Sequence, residues 1–365
     1  MSETTNDYRS LLLGDVPLLD VRAPVEFGKG AFPAATNLPL LTDQERHDIG
    51  ICYSRQGQDA AIALGHQLVS GAVREQRMAD WLAWCRQHPT GVIYCFRGGL
   101  RSQTVQSWLA GAGEARPLVA GGYKALRRFL LESFEREIHR QPLVILAGRT
   151  GTGKTRVIEA LSRTIDLEGL AHHRGSAFGR RPGGQPSQID FENRLSIALL
   201  KQRTAEDGPL VVEDESRLIG RCHVPLVLQE LMKASPRVMI EEDLDSRVQV
   251  TLDDYVRGPL EEFRLSYGDT DAFERLAESL LDSLDRIRRR LGGQRHQQLR
   301  QIMVDALDTQ RRTGTTDVHR DWIRPLLRDY YDPMYDYMLS KREGQVLFTG
   351  TRDQVQDWLQ AHTGS

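Results

Sequence analysis

The sequence predicts an α/β protein made of two domains with mainly parallel sheets. Three observations support this class. The chain has 365 residues, which is more than one ordinary domain contains. In its first third, short apolar strand patterns alternate with helical patterns, as in a three-layer α/β domain. At residues 142–147 an apolar strand pattern runs into a glycine-rich loop and then a helix, which indicates a second α/β domain.

Composition and charge narrow the class of protein. The chain carries 48 basic and 50 acidic side chains, so its net charge of −2 does not indicate a polyanionic partner. Its four cysteines lack the paired CxxC spacing of a zinc site, and we expect no disulfide framework. The sequence has neither a signal-peptide pattern nor a membrane-spanning apolar run. We therefore expect a soluble protein of the cytoplasm.

Strand and helix patterns follow one another through the first domain. Apolar runs bounded by Gly, Pro or Asn predict strands, and helical apolar spacing predicts helices. Gly65 lies inside one helical pattern at a cost of about 1 kcal/mol relative to Ala, so we expect another group to approach it closely. The predicted elements are strands at 17–22, 92–95 and 118–122, a loop at 28–39, and helices at 59–69, 77–86 and 103–109.

A cysteine at the end of a predicted strand is the first candidate site. The run 92–94 ends at Cys95, and a glycine-rich turn then leads into a helix. Backbone N–H groups of such a loop converge on the sulfur and leave a hollow of anion size. Arg101 completes a C-x5-R spacing and adds a fork for a tetrahedral oxyanion. The alternative is a buried, inert thiol. With Cys95 as the catalytic group, the predicted oxyanion-binding residues are Arg97, Gly98, Gly99, Leu100, Arg101 and Ser102.

The second candidate site is a phosphate loop. The pattern G-x-x-x-x-G-K-T stands between a predicted strand and a predicted helix, as this motif requires. Its backbone N–H groups face a di- or triphosphate, and Lys154 reaches the terminal phosphate. The Thr155 hydroxyl can hold Mg²⁺, and Glu213 at the end of the strand 209–212 is a possible second ligand or else part of a solvated carboxylate cluster. The predicted diphosphate-binding residues are Gly148, Arg149, Thr150, Gly151, Thr152, Gly153, Lys154 and Thr155.

A long segment at 172–187, rich in Gly, Arg and Pro, is predicted to be a functional loop. Its Arg and His residues suit a phosphate backbone, and Phe178 suits a base or a prenyl chain. The predicted substrate-loop residues are Arg174, Gly175, Ser176, Phe178 and Gly179.

From residue 237 onward the pattern is largely helical, until a predicted strand at 345–349 and a helix at 351–360. An arginine cluster begins at residue 286, and residues 324–342 place four tyrosines among basic residues. Basic side chains interleaved with aromatic rings suit an RNA surface, and a solvated helix face is the alternative. The predicted tRNA-binding residues are Arg180, Arg181, Arg288, Arg289 and Arg290.

The first domain resembles the rhodanese-type sulfurtransferases. One signature begins at Asp20-Val21-Arg22 and continues through Glu26, Gly30 and Asn37. The other is the Cys95 loop with the later Gly121-Gly122. The loop is one residue longer than in the usual sulfurtransferase, a length shared with the phosphatase-like members of that fold. The resemblance implies a rhodanese-like domain at 1–124. A charged helical pattern predicts a connecting helix at 125–140, and the phosphate loop predicts a P-loop domain with a helical C-terminal part at 141–365.

The whole chain resembles the bacterial tRNA 2-selenouridine synthases. The segments that carry this resemblance are 167–176, 185–188, 191–193 and 331–335, together with the order of the two domains. The resemblance implies that the sulfur of a wobble 2-thiouridine in tRNA is alkylated by geranyl diphosphate and that selenium from selenophosphate then replaces the geranylthio group. Cys95 would accept the selenium as a perselenide or orient it for direct attack. Mg²⁺ at the P-loop is the one metal expected, with no tightly bound cofactor, and a selenophosphate-supplying enzyme is a further expected partner.

Two other interpretations of the residues stay open. A rhodanese-type sulfurtransferase or a C-x5-R phosphatase, fused to an NTP-hydrolysing P-loop module, would show the same two motifs. A tRNA-binding scaffold without chemistry would tolerate the loss of Cys95.

Overall fold

The protein is described here by a computed structural model that covers residues 3–202, 208–342 and 344–363. It divides into two units, of which the first comprises Met1–Arg136 and Ser187–Lys201 and the second Glu137–Pro186 and Gln202–Ser365. The outermost residues of the two predicted domains, 1–2 and 364–365, lie outside the described ranges. Within those ranges, no helix combines the length and the apolar character needed to cross a bilayer.

The first unit alternates short strands with helices. Its strands are β1 (Thr4–Thr5), β2 (Leu18–Asp20), β3 (Ala35–Asn37), β4 (Val92–Tyr94) and β5 (Leu118–Val119). The helices between residues 8 and 138 are α1 (Tyr8–Leu13), α2 (Pro24–Lys29), α3 (Asp43–Gln56), α4 (Gln58–Leu68), α5 (Gly71–Gln87), α6 (Leu100–Gly111) and α7 (Gly122–Ile138).

The sheet of the first unit places Cys95 at the end of an inner strand. The described residues form a five-stranded sheet in the order β1-β5-β4-β2-β3, and every pair is parallel. Strand β4 lies between β5 and β2, and all three of its residues are buried. The chain leaves the carboxyl end of β4 at Cys95, which is an edge where α/β proteins commonly bind ligands. The parallel α/β class predicted from the sequence is confirmed.

Three features of this unit differ from the sequence-based prediction. The segment 28–39, predicted as a loop, contains the end of α2 and strand β3, which pairs with β2 although its Ala-Thr-Asn sequence has no apolar signal. Helix α3 was not predicted because its sequence is polar; it begins at a capping box between Thr42 and Glu45. The expectation that another group approaches Gly65 closely is wrong. A Cβ at this position would lie 3.6 Å from Ile49 Cδ1, which is an ordinary contact distance.

The second unit holds a second sheet and a large helical part. Its strands are β6 (Leu143–Gly148), β7 (Thr164–Ile165), β8 (Leu210–Glu213), β9 (Leu218–Ile219), β10 (Cys222–His223), β11 (Arg237–Ile240) and β12 (Val346–Gly350). The helices of the remaining chain are α8 (Lys154–Ala160), α9 (Leu167–Leu170), α10 (Gln188–Gln202), α11 (Leu226–Ala234), α12 (Leu244–Leu252), α13 (Gly258–Tyr267), α14 (Asp269–Arg286), α15 (Arg288–Leu291), α16 (Gly293–Thr313), α17 (Arg320–Leu326), α18 (Asp332–Leu339) and α19 (Arg352–Thr363).

The main sheet of the second unit places the phosphate loop in the same way. Its described strands follow the order β12-β11-β6-β8-β7, again all parallel. Strand β6 has six buried residues and lies between β11 and β8. Strand β11 falls where the sequence predicts helices from residue 237 onward. That part of the prediction is wrong, because an apolar run of three residues after Arg237 has no period that separates a buried strand from a helix.

Helix α10 belongs to the first unit although it follows the phosphate loop in sequence. Asp190 Oδ1 accepts a hydrogen bond from the Ala31 N–H at 2.7 Å. Asn193 Nδ2 donates to the Ala31 carbonyl at 2.7 Å, and its Oδ1 accepts from Arg127 Nη1 at 2.6 Å. The predicted domains are contiguous in the sequence and would place α10 in the P-loop domain at 141–365. They do not anticipate this arrangement, because the hydrogen bonds join residues that are far apart in the sequence.

Candidate active site: two anion-binding loops

Cys95 is a buried thiol at the start of a glycine-rich loop. Its side chain and backbone together are 3% exposed. The Sγ atom lies 3.1 Å from Ser102 Oγ and 3.9 Å from the Gly99 carbonyl oxygen. Ser102 Oγ donates to the same Gly99 carbonyl at 3.1 Å. The predicted pair of Cys95 and Ser102 is therefore brought together by the turn between β4 and α6.

Two glycines hold the shape of this loop. Gly98 has φ +66° and Gly122 has φ +59°, a region that favours glycine. A Cβ on Gly122 would lie 2.3 Å from the Cys95 carbonyl oxygen and 2.6 Å from the Gly98 nitrogen. The following residue, Tyr123, donates its N–H to the Cys95 carbonyl at 2.9 Å. The Gly121-Gly122 turn is thus part of the support of the Cys95 loop, which gives a physical reason for its place in the sequence signature.

The backbone N–H groups of this loop form an anion cradle. In the described part of the chain, none of the amides of residues 96–101 donates to a protein oxygen. Those of Leu100 and Arg101 belong to the first turn of α6, where N–H groups have no intrahelical partner. An unpaired row of amides at a helix N-terminus attracts an oxyanion. Arg97 and Leu100, both predicted as oxyanion-binding residues, have exposed side chains and contribute to this row through their backbone.

Arg101 is held by an acidic partner rather than standing alone. Its Nη1 and Nη2 donate to the two carboxylate oxygens of Glu26 at 2.5 and 3.1 Å. Arg46 Nε lies 3.1 Å from the same carboxylate. Burial raises the pKa of Glu26, but the hydrogen bonds from Arg101 and the charge of Arg46 outweigh it, and the net pKa lies below its ordinary value. Glu26 therefore stays ionised and fixes the guanidinium beside the loop, a pairing that the sequence did not reveal.

The phosphate loop repeats the arrangement in the second unit. Gly151 and Gly153 have φ of +83° and +81°, and α8 begins at Lys154. A Cβ on Gly151 would lie 2.5 Å from Thr251 Oγ1 and 2.7 Å from the Arg247 carbonyl oxygen, so glycine is required. Within the described residues, the Thr152 amide donates to Arg149 at 3.2 Å, whereas the amides of 150, 151 and 153–155 have no protein acceptor. This geometry suits a diphosphate.

Side chains of the phosphate loop are anchored on both sides. Lys154 Nζ donates to the Gly148 carbonyl at 3.1 Å, so the side chain folds back over the loop. Arg149 Nη2 pairs with Asp336 Oδ1 at 2.7 Å, which ties the loop to helix α18. Thr152 Oγ1 donates to the Arg149 carbonyl at 2.9 Å. Lys154 is the side chain that the motif predicts to contact the phosphates.

Buried carboxylates stand next to this loop. Glu213 is 0% exposed; its Oε2 accepts from the Glu168 N–H at 3.2 Å, and its Oε1 has no protein partner. Burial, and then the charge of Glu168, raise the pKa of Glu213 well above its ordinary value. Thr155 Oγ1 lies 3.5 Å from Glu168 Oε2. The solvated-cluster reading of Glu213 is therefore wrong, because the carboxylate is fully buried.

The residues around Glu213 fit a divalent cation that is bound mainly by other ligands. An unpartnered, buried carboxylate oxygen is a favourable neighbour for a cation. No three His, Cys, Asp or Glu side chains among the described residues are grouped as metal ligands. Mg²⁺ usually keeps several waters and takes one or two carboxylates together with substrate phosphates. Thr155 and Glu213 suit that mode.

The predicted substrate loop has one part at the phosphate site and one part in the core. Gly175 has φ +62°, and a Cβ there would lie 2.0 Å from Glu168 Oε1, so this glycine packs against the carboxylate cluster. Phe178 is 5% exposed and stacks on Tyr255 and Trp322. The expectation that the Phe178 ring contacts a base or a prenyl chain is therefore corrected, because the ring is part of the helical core.

The loop is closed by contacts between its own ends. The Arg174 N–H donates to the Gly179 carbonyl at 2.9 Å, and a Cβ on Gly179 would lie 2.8 Å from the Arg174 nitrogen. Ser176 Oγ accepts from the Phe178 N–H at 3.1 Å. The Arg174 guanidinium pairs with Glu262 and is largely buried. Arg174 is therefore buried in an ion pair, while its Nη1 has no partner among the described residues, and its role toward the substrate stays a prediction.

The predicted tRNA-binding arginines differ in exposure. Arg180, Arg288, Arg289 and Arg290 are exposed, and the last three form no ion pair within the described ranges. Arg181 is half-buried, with Nη1 3.9 Å from Glu262. Of the tyrosines in 324–342, Tyr331 is buried in the core and Tyr337 is 61% exposed. A basic surface therefore exists at α15, with fewer exposed rings than the sequence suggests.

Fold and site together define a class. The chain is an α/β protein of two parallel-sheet units, each with a strand, a glycine-rich loop and a helix that form an anion cradle. One cradle begins at a thiol and the other carries the lysine of a P-loop.

Comparison with known proteins narrows this class to a family. A family model described as the tRNA 2-selenouridine synthase AAA domain matches residues 141–365. The chain is 62% identical over 359 residues to the tRNA 2-selenouridine synthase of Alcanivorax borkumensis, covering 98% of this chain and 99% of the relative. It is 52% identical over 361 residues to that of Marinobacter nauticus, covering 99% and 98%. It is 54% identical over 360 residues to that of Bordetella bronchiseptica, covering 98% of each. The chain belongs to the tRNA 2-selenouridine synthase family, which confirms the family and the enzyme class predicted from the sequence.

Proposed function

We propose that this chain replaces the sulfur of 2-thiouridine in tRNA by selenium in two steps, geranylation followed by selenium exchange. One observation carries the proposal. The chain holds two amide cradles with different functional groups: Cys95 with Arg101 in the first unit, and Lys154 beside buried carboxylates in the second. Two different phosphorus-containing substrates, a diphosphate and selenophosphate, match two such cradles.

The first step is an alkylation. The sulfur of 2-thiouridine attacks C1 of geranyl diphosphate, a carbon–sulfur bond forms, and the carbon–oxygen bond breaks. The bonding electrons leave with diphosphate, and the base loses its N3 proton. The amides of 150–155 and the charge of Lys154 stabilise the negative charge that grows on the leaving group. Thr155 and Glu213 would hold Mg²⁺, which when bound would neutralise part of that charge.

The second step is a substitution at C2 of the base. The S-alkyl group is a better leaving group than the original thiocarbonyl, so geranylation prepares this carbon. Selenium of selenophosphate attacks C2, and geranyl thiolate departs with the electron pair of the carbon–sulfur bond and takes up a proton. Water then attacks phosphorus, and the phosphorus–selenium electrons stay on selenium. The products are 2-selenouridine, geranyl thiol and phosphate.

Electron balance favours direct attack over a perselenide on Cys95. Selenium in selenophosphate is at the selenide level, whereas selenium bound to a cysteine sulfur is two electrons more oxidised. A perselenide would require an added oxidant, or phosphorus leaving as phosphite. The reactants of the proposed step supply no oxidant. We therefore assign Cys95 to orienting selenium, and the amides of 96–101 with Arg101 to binding the phosphoryl oxygens.

Tests of the two-step function use purified full-length protein without ATP or GTP. The substrates are 2-thiouridine tRNA, geranyl diphosphate and selenophosphate, and digested nucleosides are measured by liquid chromatography and mass spectrometry. We expect geranylated 2-thiouridine with geranyl diphosphate alone and 2-selenouridine when both donors are present. Matched tRNA with unmodified uridine should give neither product. A requirement for NTP hydrolysis would contradict the proposal and favour a sulfurtransferase or phosphatase fused to an NTPase module.

A further inference from the structure

A cavity of about 1190 Å³ lies in the first unit beside the Cys95 loop. Its lining comes mainly from the α3–α4 hairpin, from α6 and from the segment after β3, with further residues from α2, the Cys95 loop, α7 and α10. Every lining residue belongs to the first unit. Small-molecule pockets commonly measure about 300–1,000 Å³, so this cavity has room for a sizeable organic group.

The wall of the cavity is mainly apolar. Ile49 and Ile62 of the hairpin contribute to it, together with Leu41, Val69 and Trp108. Polar side chains such as His47, Ser54, Gln58 and His66 also line the cavity, but most of its exposed surface is apolar. It stabilises a hydrocarbon group by removing it from water, roughly in proportion to the area buried.

Three charged side chains of the lining form a cluster that includes Arg101 of the Cys95 loop, and Arg22 and Lys29 also line the cavity. Glu26, Arg46 and Arg101 all line the cavity and form one cluster of ion pairs, at 2.5 Å for Arg101 and 3.1 Å for Arg46. Phe96 and Leu100 of the loop also line it and are 36% and 53% exposed. Exposed apolar side chains next to a polar cluster are expected where a ligand has one apolar part and one charged part.

We propose that this cavity binds the geranyl chain of the geranylated tRNA base while selenium replaces it at the Cys95 loop. The proposal rests on the two-step function above and adds to it the site for the hydrocarbon chain. Among the reactants of the exchange, only the geranyl group is apolar, and it is attached to the atom that leaves. A reaction at the loop therefore places the chain next to Phe96 and Leu100, at the mouth of an apolar cavity.

Binding of the chain would also distinguish the proper substrate. Each methylene buried in such a site raises affinity roughly fourfold. A base that carries a short S-alkyl group would leave the cavity largely empty. Selenium exchange should therefore depend on chain length, even though the chain takes no part in the bond changes at C2.

Gly65 offers a way to fill the cavity without disturbing the fold. It lies in α4 and lines the cavity, and a Cβ there would meet only Ile49 Cδ1 at 3.6 Å. Gly65→Leu adds a side chain from this wall and removes a glycine from a helix, which favours the helix. Ala63→Leu, at an exposed position of the same helix that does not line the cavity, is the matched control.

Chain-length kinetics test the proposal directly. Full-length protein, selenophosphate and tRNA with S-methyl-, S-dimethylallyl- or S-geranyl-2-thiouridine are compared by kcat/KM for 2-selenouridine formation. For wild type we expect a rise of at least about tenfold from methyl to geranyl. Gly65→Leu should lose about tenfold on the geranyl substrate while the methyl substrate changes less than about twofold. Ala63→Leu should match wild type on all three.

Several outcomes would overturn the proposal. A flat chain-length series would do so, as would equal losses for methyl and geranyl substrates in Gly65→Leu. If Gly65→Leu lost geranylation of 2-thiouridine but kept normal selenium exchange, the cavity would be assigned to geranyl diphosphate instead.

Failure of the two-step function itself is distinguishable. If wild type exchanges no S-alkyl substrate, the role of the cavity can still be decided by calorimetry. The measurement is the affinity of wild type, Gly65→Leu and Ala63→Leu for geraniol. Weaker binding to Gly65→Leu than to Ala63→Leu would support a hydrocarbon site. Equal binding by the two variants, or none by wild type, would overturn it.

Discussion

The Cys95 loop and the phosphate loop share a backbone plan and differ in the charges around it. In both, a buried inner strand ends at a glycine-rich turn, and a helix begins after it. In both, most loop amides have no protein acceptor within the described residues. Beside Cys95 stands a guanidinium paired with one ionised carboxylate, Glu26. Beside Lys154 stand Glu168 and Glu213, whose pKa values burial raises.

This difference separates two kinds of chemistry on one kind of scaffold. The first loop brings a thiol to a cradle whose positive charge comes from an arginine in a fixed orientation, which suits a compact tetrahedral anion. The second brings a lysine to a cradle near one unpartnered buried carboxylate oxygen, that of Glu213, which suits a diphosphate accompanied by a metal ion. A shared backbone thus fixes what the loops can bind, while neighbouring side chains decide which anion and which reaction.

Replacement of Cys95 is the test with the largest expected effect, and it asks whether the two loops serve different steps. We expect Cys95→Ala to reduce selenium incorporation below detection while geranylated 2-thiouridine still forms and accumulates, because we assign the thiol to the second step only. The measurement is mass spectrometry of tRNA nucleosides after each half-reaction. Cys222→Ala, a buried cysteine of the second unit, is the control and should form 2-selenouridine. Loss of both products by a folded Cys95→Ala would show that the loops do not divide the steps.

Removal of the Lys154 charge is the converse test. Lys154→Ala removes a donor aimed at charge that develops on diphosphate, which costs roughly 3–4 kcal/mol, or a factor of about 10² to 10³ in rate. Geranylation should fall by that factor. With tRNA that is already geranylated, the same variant should form 2-selenouridine at the wild-type rate. Normal geranylation by Lys154→Ala would remove the phosphate loop from the first step.

Arg288 and Arg289 test whether tRNA binding is independent of both loops. Reversal of both charges to Glu should weaken tRNA binding about tenfold at moderate salt and reduce the slope of log affinity against log salt by about 2. Rates at saturating tRNA should stay near wild type. A control pair, Arg128→Glu with Lys233→Glu, makes the same change in net charge elsewhere. Equal loss in both pairs would indicate a general field effect, and no loss at Arg288 and Arg289 would return α15 to the solvated-face reading.

The prediction with the smallest expected effect concerns stability: a fall in pH should destabilise the second unit more than the first. Burial, with nearby arginines for His173, lowers the pKa of His173 and of His319 to about 4, and both residues lie in the second unit. Unfolded histidine titrates near about 6.5, so the unfolded chain binds protons that the folded unit refuses. Stability from these groups is complete above about pH 6.5 and is lost as the pH falls toward about 4.

We expect the unfolding midpoint of the second unit to fall by about 5 °C between about pH 7.5 and 5, measured by calorimetry. His173→Phe removes a buried nitrogen that has no partner and should flatten this dependence. His66→Phe, at an exposed position of the first unit, should leave it unchanged. An unchanged pH slope in His173→Phe would show that this histidine does not contribute.

The sequence alone determined those features whose residues are close together in the chain. Each loop is a contiguous strand, turn and helix start, so the residue order around Cys95 and from Gly148 to Thr155 carries the signal without knowledge of the fold. The parallel α/β class followed in the same way from alternating patterns. Whether each predicted residue performs its role stays a prediction.

Only the tertiary structure decided which distant groups meet and which side chains are buried. Glu26 pairs with Arg101 across 75 positions, and Glu168 meets Glu213 across 45. Phe178 looked exposed in a polar loop, yet it packs under helices that lie far along the chain. The hairpin that lines the cavity begins at α3, a helix without an apolar stripe. The physical reason is common to all of these: local pattern fixes backbone conformation, whereas burial and charge pairing depend on chain reversals that no local window contains.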